Sequence, residues 1–133
     1  MNLIEITDLD SQELGVYKSL RDNILGKDGS FIGDSPKVVD LIIKSGLEIR
    51  SILATKEFYE TREELLSKRE GKFFVASKEL LEKIVGHKIH HNAMICGVRP
   101  KEKLLDELGD KIVLIDEISS TENIGSICRS MHW

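Results

Sequence analysis

Short apolar runs and stretches of helical spacing alternate along this chain, and their order predicts its elements. Leu14, Tyr17, Leu20 and Ile24 recur at intervals of three and four, which predicts a helix over Ser11 to Asn23, broken by Gly26, Asp28 and Gly29. Phe31 and Ile32 centre a short strand, Ser30 to Gly33. In Asp34-Ser35-Pro36-Lys37 a capping side chain precedes a proline suited to the first helical position. The helix it opens carries Val38, Val39, Leu41, Ile42 and Ile43, and Gly46 closes it. Glu48 to Thr55 reads as a strand, where Ile52 and Leu53 side by side point to burial on both faces. Thr61 to Arg69 reads as a charged helix anchored by Leu65 and Leu66, and Lys72 to Ala76 as a strand built on Phe73, Phe74 and Val75. The whole charged run Lys56 to Glu70 reads as an exposed helix face without chemistry, with Glu63 and Glu64 set near Lys68 for pairing. Ser77 to Val85 has the clearest helical signature, with Ser77 as cap, Leu80, Leu81, Ile84 and Val85 inward and Gly86 at the end. Ala93 to Val98 follows as a strand, Pro100 ends it, and Lys101 to Leu108 forms a short helix.

This order predicts an α/β sandwich whose mostly parallel sheet is covered on both faces. With 133 residues the chain can form one ordinary domain and a short extension, with a boundary near Gly109. A content of 41% apolar and 32% charged residues fits a soluble globular protein. The apolar runs are too short to cross a bilayer and the start MNLIEITDLD lacks the pattern of a signal peptide, so a cytoplasmic location is expected. Cys96 and Cys128 stand far apart with no CxxC or Cys/His spacing, which leaves two free thiols. A net charge of -4 argues against indiscriminate coating of nucleic acid and leaves room for a local basic patch.

The closing stretch, KIVLIDEISSTENIGSICRSMHW from Lys111 to Trp133, is the most specific. Ile112 to Ile118 is apolar except for Asp116 and Glu117 and predicts a strand buried on both faces. After the turn Ser119 to Glu122, Ile124, Ile127 and Met131 fall on one helical face, while Asn123 and Gly125 suit a tight strand-to-helix turn. A strand ending in an acidic residue, a short turn and then N-I-G-S-x-x-R-S resembles the first motif of SpoU-type RNA methyltransferases, the TrmH-like branch of the knotted SPOUT superfamily. The resemblance implies 2′-O methylation of a ribose from S-adenosylmethionine, with Asn123 and Arg129 as active-site residues. Asn123 would shape the turn and position ribose or phosphate. Arg129 would act on the phosphate next to the target 2′-hydroxyl, or help that hydroxyl lose its proton.

The family often places a small substrate-binding domain before this motif. The segment FIGDSPKVVDLIIKSGLEIRSILAT is similar in layout to ribosomal proteins that bind kink-turn RNA, whose fold that domain shares. The resemblance therefore implies a three-layer sandwich of the kink-turn-binding type over residues 1–108. The first strand and helix of a knotted SPOUT domain would follow over 109–133. Where the family usually has an acidic residue followed by glycine, this chain has Asp34-Ser35. The later motifs, which build the knot and hold the methyl donor, are not in this sequence, so the chain is expected to hold transfer or ribosomal RNA without binding S-adenosylmethionine or transferring a methyl group. Ile112 to Ile118, lacking the parallel neighbours of the knot, is expected to pack back on the first domain or to join a second copy in a homodimer through residues 112–133.

Further candidates come from the residues alone. Ser35 and Lys37 open a helix, where free N–H groups and the helix dipole favour an anion such as an RNA phosphate; the plain alternative is a capped helix with an exposed lysine. Arg99, Lys101 and Lys103 form a small basic cluster around Pro100, diluted by Glu102. His87, His90 and His91 invite a metal reading, but no Cys or carboxylate stands at a recognised spacing, so no metal is expected and a solvated turn is. Two other functional classes fit the same pattern: a free-standing RNA-binding module of the ribosomal-protein kind, and a non-RNA interaction domain consistent with the net acidity.

Overall fold

In the computed structural model, which describes residues 1–18, 28–86 and 88–132, the adjacent apolar residues of each strand point to opposite faces of one sheet. The strands are β1 (Leu3–Glu5), β2 (Ser30–Asp34), β3 (Ile49–Ala54), β4 (Lys72–Val75) and β5 (Ala93–Val98), in the spatial order β1-β4-β3-β5-β2. On one face Ile52, Phe73 and Ile95 meet Val39, Ile42 and Ile43 of α2 (Pro36–Ser45), Phe58 and Tyr59 of α3 (Lys56–Glu60) and Leu66 of α4 (Glu63–Leu66). On the other, Leu53, Phe74, Met94 and Cys96 meet Leu14 and Tyr17 beside and within α1 (Gly15–Lys18), and Leu81, Ile84 and Val85 of α5 (Lys78–Val85). Two apolar cores thus sandwich the sheet. Among the described residues no helix is long and apolar enough to cross a membrane.

The sheet is mixed rather than mostly parallel: β1 and β3 run parallel to β4, while β5 runs antiparallel to both β3 and β2. The reason lies between α5 and β5. The chain enters β5 at the end of the sheet where β3 finishes, and Thr55 N donates to Asn92 O there at 3.0 Å. A strand buried on both faces reads the same in either direction, so the sequence pattern does not distinguish the two.

Other elements also differ from expectation. The helix expected over Thr61 to Arg69 is only the short α4, preceded by the separate α3, and the run Lys56 to Glu70, read as an exposed helix face, also buries Phe58 and Tyr59. The edge strand β1 was not anticipated; three residues are too few for a periodic signal. The helix expected over Ser11 to Asn23 is a 3-10 turn at Gln12–Leu14 and then α1, and its expected members Leu20 and Asn23, with Ile24, lie outside the described residues. Lys101 to Leu108 holds only a 3-10 turn at Leu105–Glu107.

Contacts divide the chain into two compact units, Met1–Pro100 and Lys101–Trp133. In the second, α6 (Thr121–Met131) is capped by the Ser120 hydroxyl, which accepts from Asn123 N at 3.3 Å. Ile112 to Ile118 forms no strand: Leu114 is 90% exposed, and Glu117 turns the backbone at φ 53°. A strand exists only through a hydrogen-bonded neighbour, and none is present for this segment among the described residues.

Several polar side chains of the first unit are paired across elements, while the buried Thr55 hydroxyl has no hydrogen-bond partner among the described residues. Tyr59 Oη lies 2.7 Å from Phe74 O and 3.0 Å from Ile52 O, so one hydroxyl joins the carbonyls of β4 and β3. Tyr17 Oη pairs with Ser51 Oγ at 2.7 Å on the opposite face. Arg62 donates through Nε and Nη2 to the Asp40 carboxylate at 2.5 and 2.9 Å and lies 4.2 Å over the Phe58 ring, tying the start of α4 to α2. Asp28 accepts from the Ser30 hydroxyl at 2.6 Å, from Ser30 N at 3.0 Å and from Arg50, and these bonds hold its carboxyl well below the usual range.

Burial pushes both Tyr17 and Tyr59 well above the ordinary tyrosine value. Below about pH 10 the folded and unfolded states both keep these protons; above it the unfolded state releases them first, so stability falls as pH rises. Each tyrosine contributes a slope of about -1.4 kcal/mol per pH unit in that window. Urea unfolding across pH 9 to 12 should show the combined slope, and Tyr59→Phe should halve it while costing about 1 to 2 kcal/mol at neutral pH through its lost hydroxyl bonds.

Candidate nucleic-acid interface

The register of the sheet decides which loops share an end. Asp34 of β2 stands opposite Met94, Ala54 of β3 opposite both Ala93 and Val75, and Glu5 of β1 opposite Val75. The openings of α2, α3 and α5 and the turn that carries His90 and His91 therefore lie together at one end. Each of these helices begins with a hydroxyl residue and has a lysine in its first turn: Ser35 with Lys37, Thr55 with Lys56, Ser77 with Lys78. All three lysines are exposed, as are Lys88, His90 and His91. Lysine at a helix N-terminus faces the positive end of the dipole, which costs about 0.3 to 1 kcal/mol each. Lys56 also lies 3.8 Å from Glu60, and Glu79, next to Lys78, is engaged 3.7 Å from Lys83. Lys56 and Lys78 were missed in the sequence, although each directly follows a Thr or Ser at the N-cap position, of which Ser77 caps with its hydroxyl and Thr55 does not.

Ser35 shapes this end of α2. Its Oγ accepts from Val38 N at 3.3 Å and its carbonyl from Val39 N at 2.9 Å. Its backbone sits at φ 139°, ψ 150°, a region that favours glycine. Just before it, a Cβ on Gly33 would stand 2.7 Å from Ile42 Cδ1, so the strand can approach α2 closely only without a side chain there. A glycine in place of Ser35, which the resemblance to the family implies after the acidic residue, would relieve the strain at that position.

The expected RNA-binding residues do not all converge. Arg99 follows the other end of β5, where its N–H donates to Gly29 O at 2.7 Å. Six residues of strand put that end about 17 Å from Ser35 and Lys37. Lys101 and Lys103 are exposed and belong to the second unit. His87 lies outside the described residues, and among those described no group of three His, Cys, Asp or Glu side chains could hold a metal ion.

In the second unit, Asn123 sits exposed in the first turn of α6, and Arg129 in the last, where its charge suits the dipole. The guanidinium runs back along the helix: Nη2 donates to Ser126 Oγ at 3.3 Å, and Nη1 lies 3.7 Å from where a Cβ on Gly125 would be. A groove of about 700 Å³ runs between Asp110–Val113 and the Ser126, Ile127, Ser130 and Met131 side of α6. It does not fit an S-adenosylmethionine pocket, because such sites bury most of the ligand, whereas here Ile112 is 59% and Val113 52% exposed.

No family model matches the sequence, and no curated protein matches it. Solved structures do match the fold. An rRNA methyltransferase from Sinorhizobium meliloti aligns at a TM-score of 0.60 and 14% identity, over 77% of this chain and 39% of its own. The SpoU methyltransferase AviRb from Streptomyces viridochromogenes, in complex with AdoMet, aligns at 0.55 and 16% identity, over 76% of this chain and 38% of its own. The chain thus has a mixed α/β fold similar to that of SpoU-type methyltransferases and spans about two-fifths of their length.

Replacing Ser35 with glycine should remove backbone strain of about 1 to 3 kcal/mol while losing only a few tenths from the cap. Ser35→Gly should therefore gain about 1 kcal/mol in urea unfolding, and Ser35→Ala, which keeps the strain and drops the cap, should lose about as much.

Proposed function

We propose that this chain is the RNA-binding portion, with the opening motif, of a SpoU-type S-adenosylmethionine-dependent RNA 2′-O-ribose methyltransferase. The observation that carries the reading is the fold likeness to rRNA methyltransferases in a chain that also holds Asn123 and Arg129 in the N-I-G-S-x-x-R-S pattern. Residues 1–108 hold structured RNA, ribosomal or transfer, in the manner of kink-turn-binding ribosomal proteins. Residues 109–133 open the knotted domain. Phosphates meet the end of the sheet that carries Lys37, Lys56 and Lys78, where helix N-termini add to the positive field. Arg99, at the other end of the sheet, makes a separate, secondary RNA contact, and so do Lys101 and Lys103 in the second unit. Asn123 and Arg129 serve the ribose and its phosphate in the whole enzyme, which works in the cytoplasm. The exposed run Ile112 to Ile115 pairs with a second copy, giving a homodimer through 112–133. The donor site belongs to the whole enzyme, so this chain by itself neither holds S-adenosylmethionine nor transfers a methyl group.

A second reading is a free-standing RNA-binding module, favoured by the placement of the three helix-opening lysines wholly within Met1–Pro100.

Titration with ribosomal and transfer RNA fragments at two salt concentrations tests the reading. Binding should weaken steeply with salt, and changing Lys37, Lys56 and Lys78 together to Gln should reduce the slope of log K against log salt by about 2 to 3. Calorimetry with S-adenosylmethionine should give no heat. RNA affinity that is absent or indifferent to salt would overturn the RNA reading, and donor binding would overturn the division of labour between this chain and the rest of an enzyme.

A further inference from the structure

We infer that Ser126 is a positioning residue for Arg129, turning its guanidinium back toward Asn123; this rests on the reading of Asn123 and Arg129 as the RNA-facing pair of the motif. Asn123 and Arg129 are six residues apart and stand about 120° apart around the helix, so they do not share a face. Ser126 lies midway, about 60° from each, and links them as one row of the helix surface. The contact is direct: Arg129 Nη2 donates to Ser126 Oγ at 3.3 Å. The guanidinium also reaches the level of Gly125, where a Cβ would lie 3.7 Å from Nη1, an ordinary van der Waals distance.

The direction of the side chain follows from helix geometry. Long side chains on a helix lean toward its N-terminus, so Arg129 reaches the preceding turn without strain. The Ser126 hydroxyl then selects one orientation of the planar guanidinium from those the turn allows. The backbone carbonyl of Ser126 is already taken up by the Ser130 hydroxyl at 3.0 Å. The Ser126 Oγ is the group at this turn to which Arg129 donates. A guanidinium held there presents its remaining donors on the Asn123 side, which suits bidentate contact with a phosphate.

The test measures rotation about the Arg129 Cζ–Nε bond by side-chain nitrogen NMR on the full chain, with Arg129→Ala to assign the signals. Ser126→Ala should speed the rotation about threefold, the effect of one modest hydrogen bond, and Ser126→Thr should restore it. Alanine is the better helix former, so lost helix cannot explain the change, and unchanged circular dichroism would check this. In parallel, affinity for a ribosomal RNA fragment should fall about threefold in Ser126→Ala and not fall further when the same change is made in an Arg129→Ala background. Equal rotation rates with and without the serine hydroxyl would overturn the proposal, as would an affinity loss that persists when Arg129 is absent. If rotation responds but Arg129→Ala leaves RNA affinity unchanged, the positioning stands and the RNA role of Arg129 is what fails.

Discussion

A strand paired on both edges and buried on both faces has no solvent to satisfy any of its groups, and β3 is in that position. It lies between β4 and β5, and of its six residues only Arg50 is exposed. Ile52 and Ala54 therefore belong to one core and Leu53 to the other, and a slip of one residue would exchange them. Ser51 is tolerated within this strand because Tyr17 pairs with it, and Arg50 because it reaches out to Asp28. The helices take their places from this alternation. α2, α3 and α4 cover the face of Ile52, and α1 and α5 cover that of Leu53.

The same register creates the candidate interface. β2, β3 and β4 run in the same direction and finish at one end of the sheet, so the helices α2, α3 and α5 that follow them open there, with their free N–H groups outward. Lysines in the first turns of α2, α3 and α5 oppose the dipoles of those helices, and Ser35 adopts a backbone conformation suited to glycine. Both features work against stability and both occur at the same end. An anion of the RNA backbone would offset the first by supplying the opposite charge where three positive ends converge.

The second unit shows what happens to a strand-like sequence without a sheet. Ile112 to Ile115 has the composition of an interior strand and stands exposed, while α6, whose hydrogen bonds are internal and whose N-cap is Ser120, forms on its own terms. The motif residues thus sit on a formed helix even though the strand expected to precede it is missing. Their geometry is local: the Ser120 cap and the bond from Arg129 to Ser126 both lie within eleven residues of chain.

The sequence by itself determined the elements whose signals are local. The caps Ser35 and Ser77, the left-handed closing glycines Gly46 and Gly86, the strands at β2 to β5 and the motif helix could all be read from spacing and capping chemistry. Asn123, Arg129, Ser35 and Lys37 were likewise visible as candidates. Only the tertiary structure decided the antiparallel direction of β5, the burial of Phe58 and Tyr59 in a run read as an exposed helix face, and the grouping of Lys56 and Lys78 with Lys37. The reason is that hydrogen-bonded pairing between strands joins residues distant in sequence. The periodicity of one strand records that it is buried, but not which neighbour buries it or in which direction that neighbour runs.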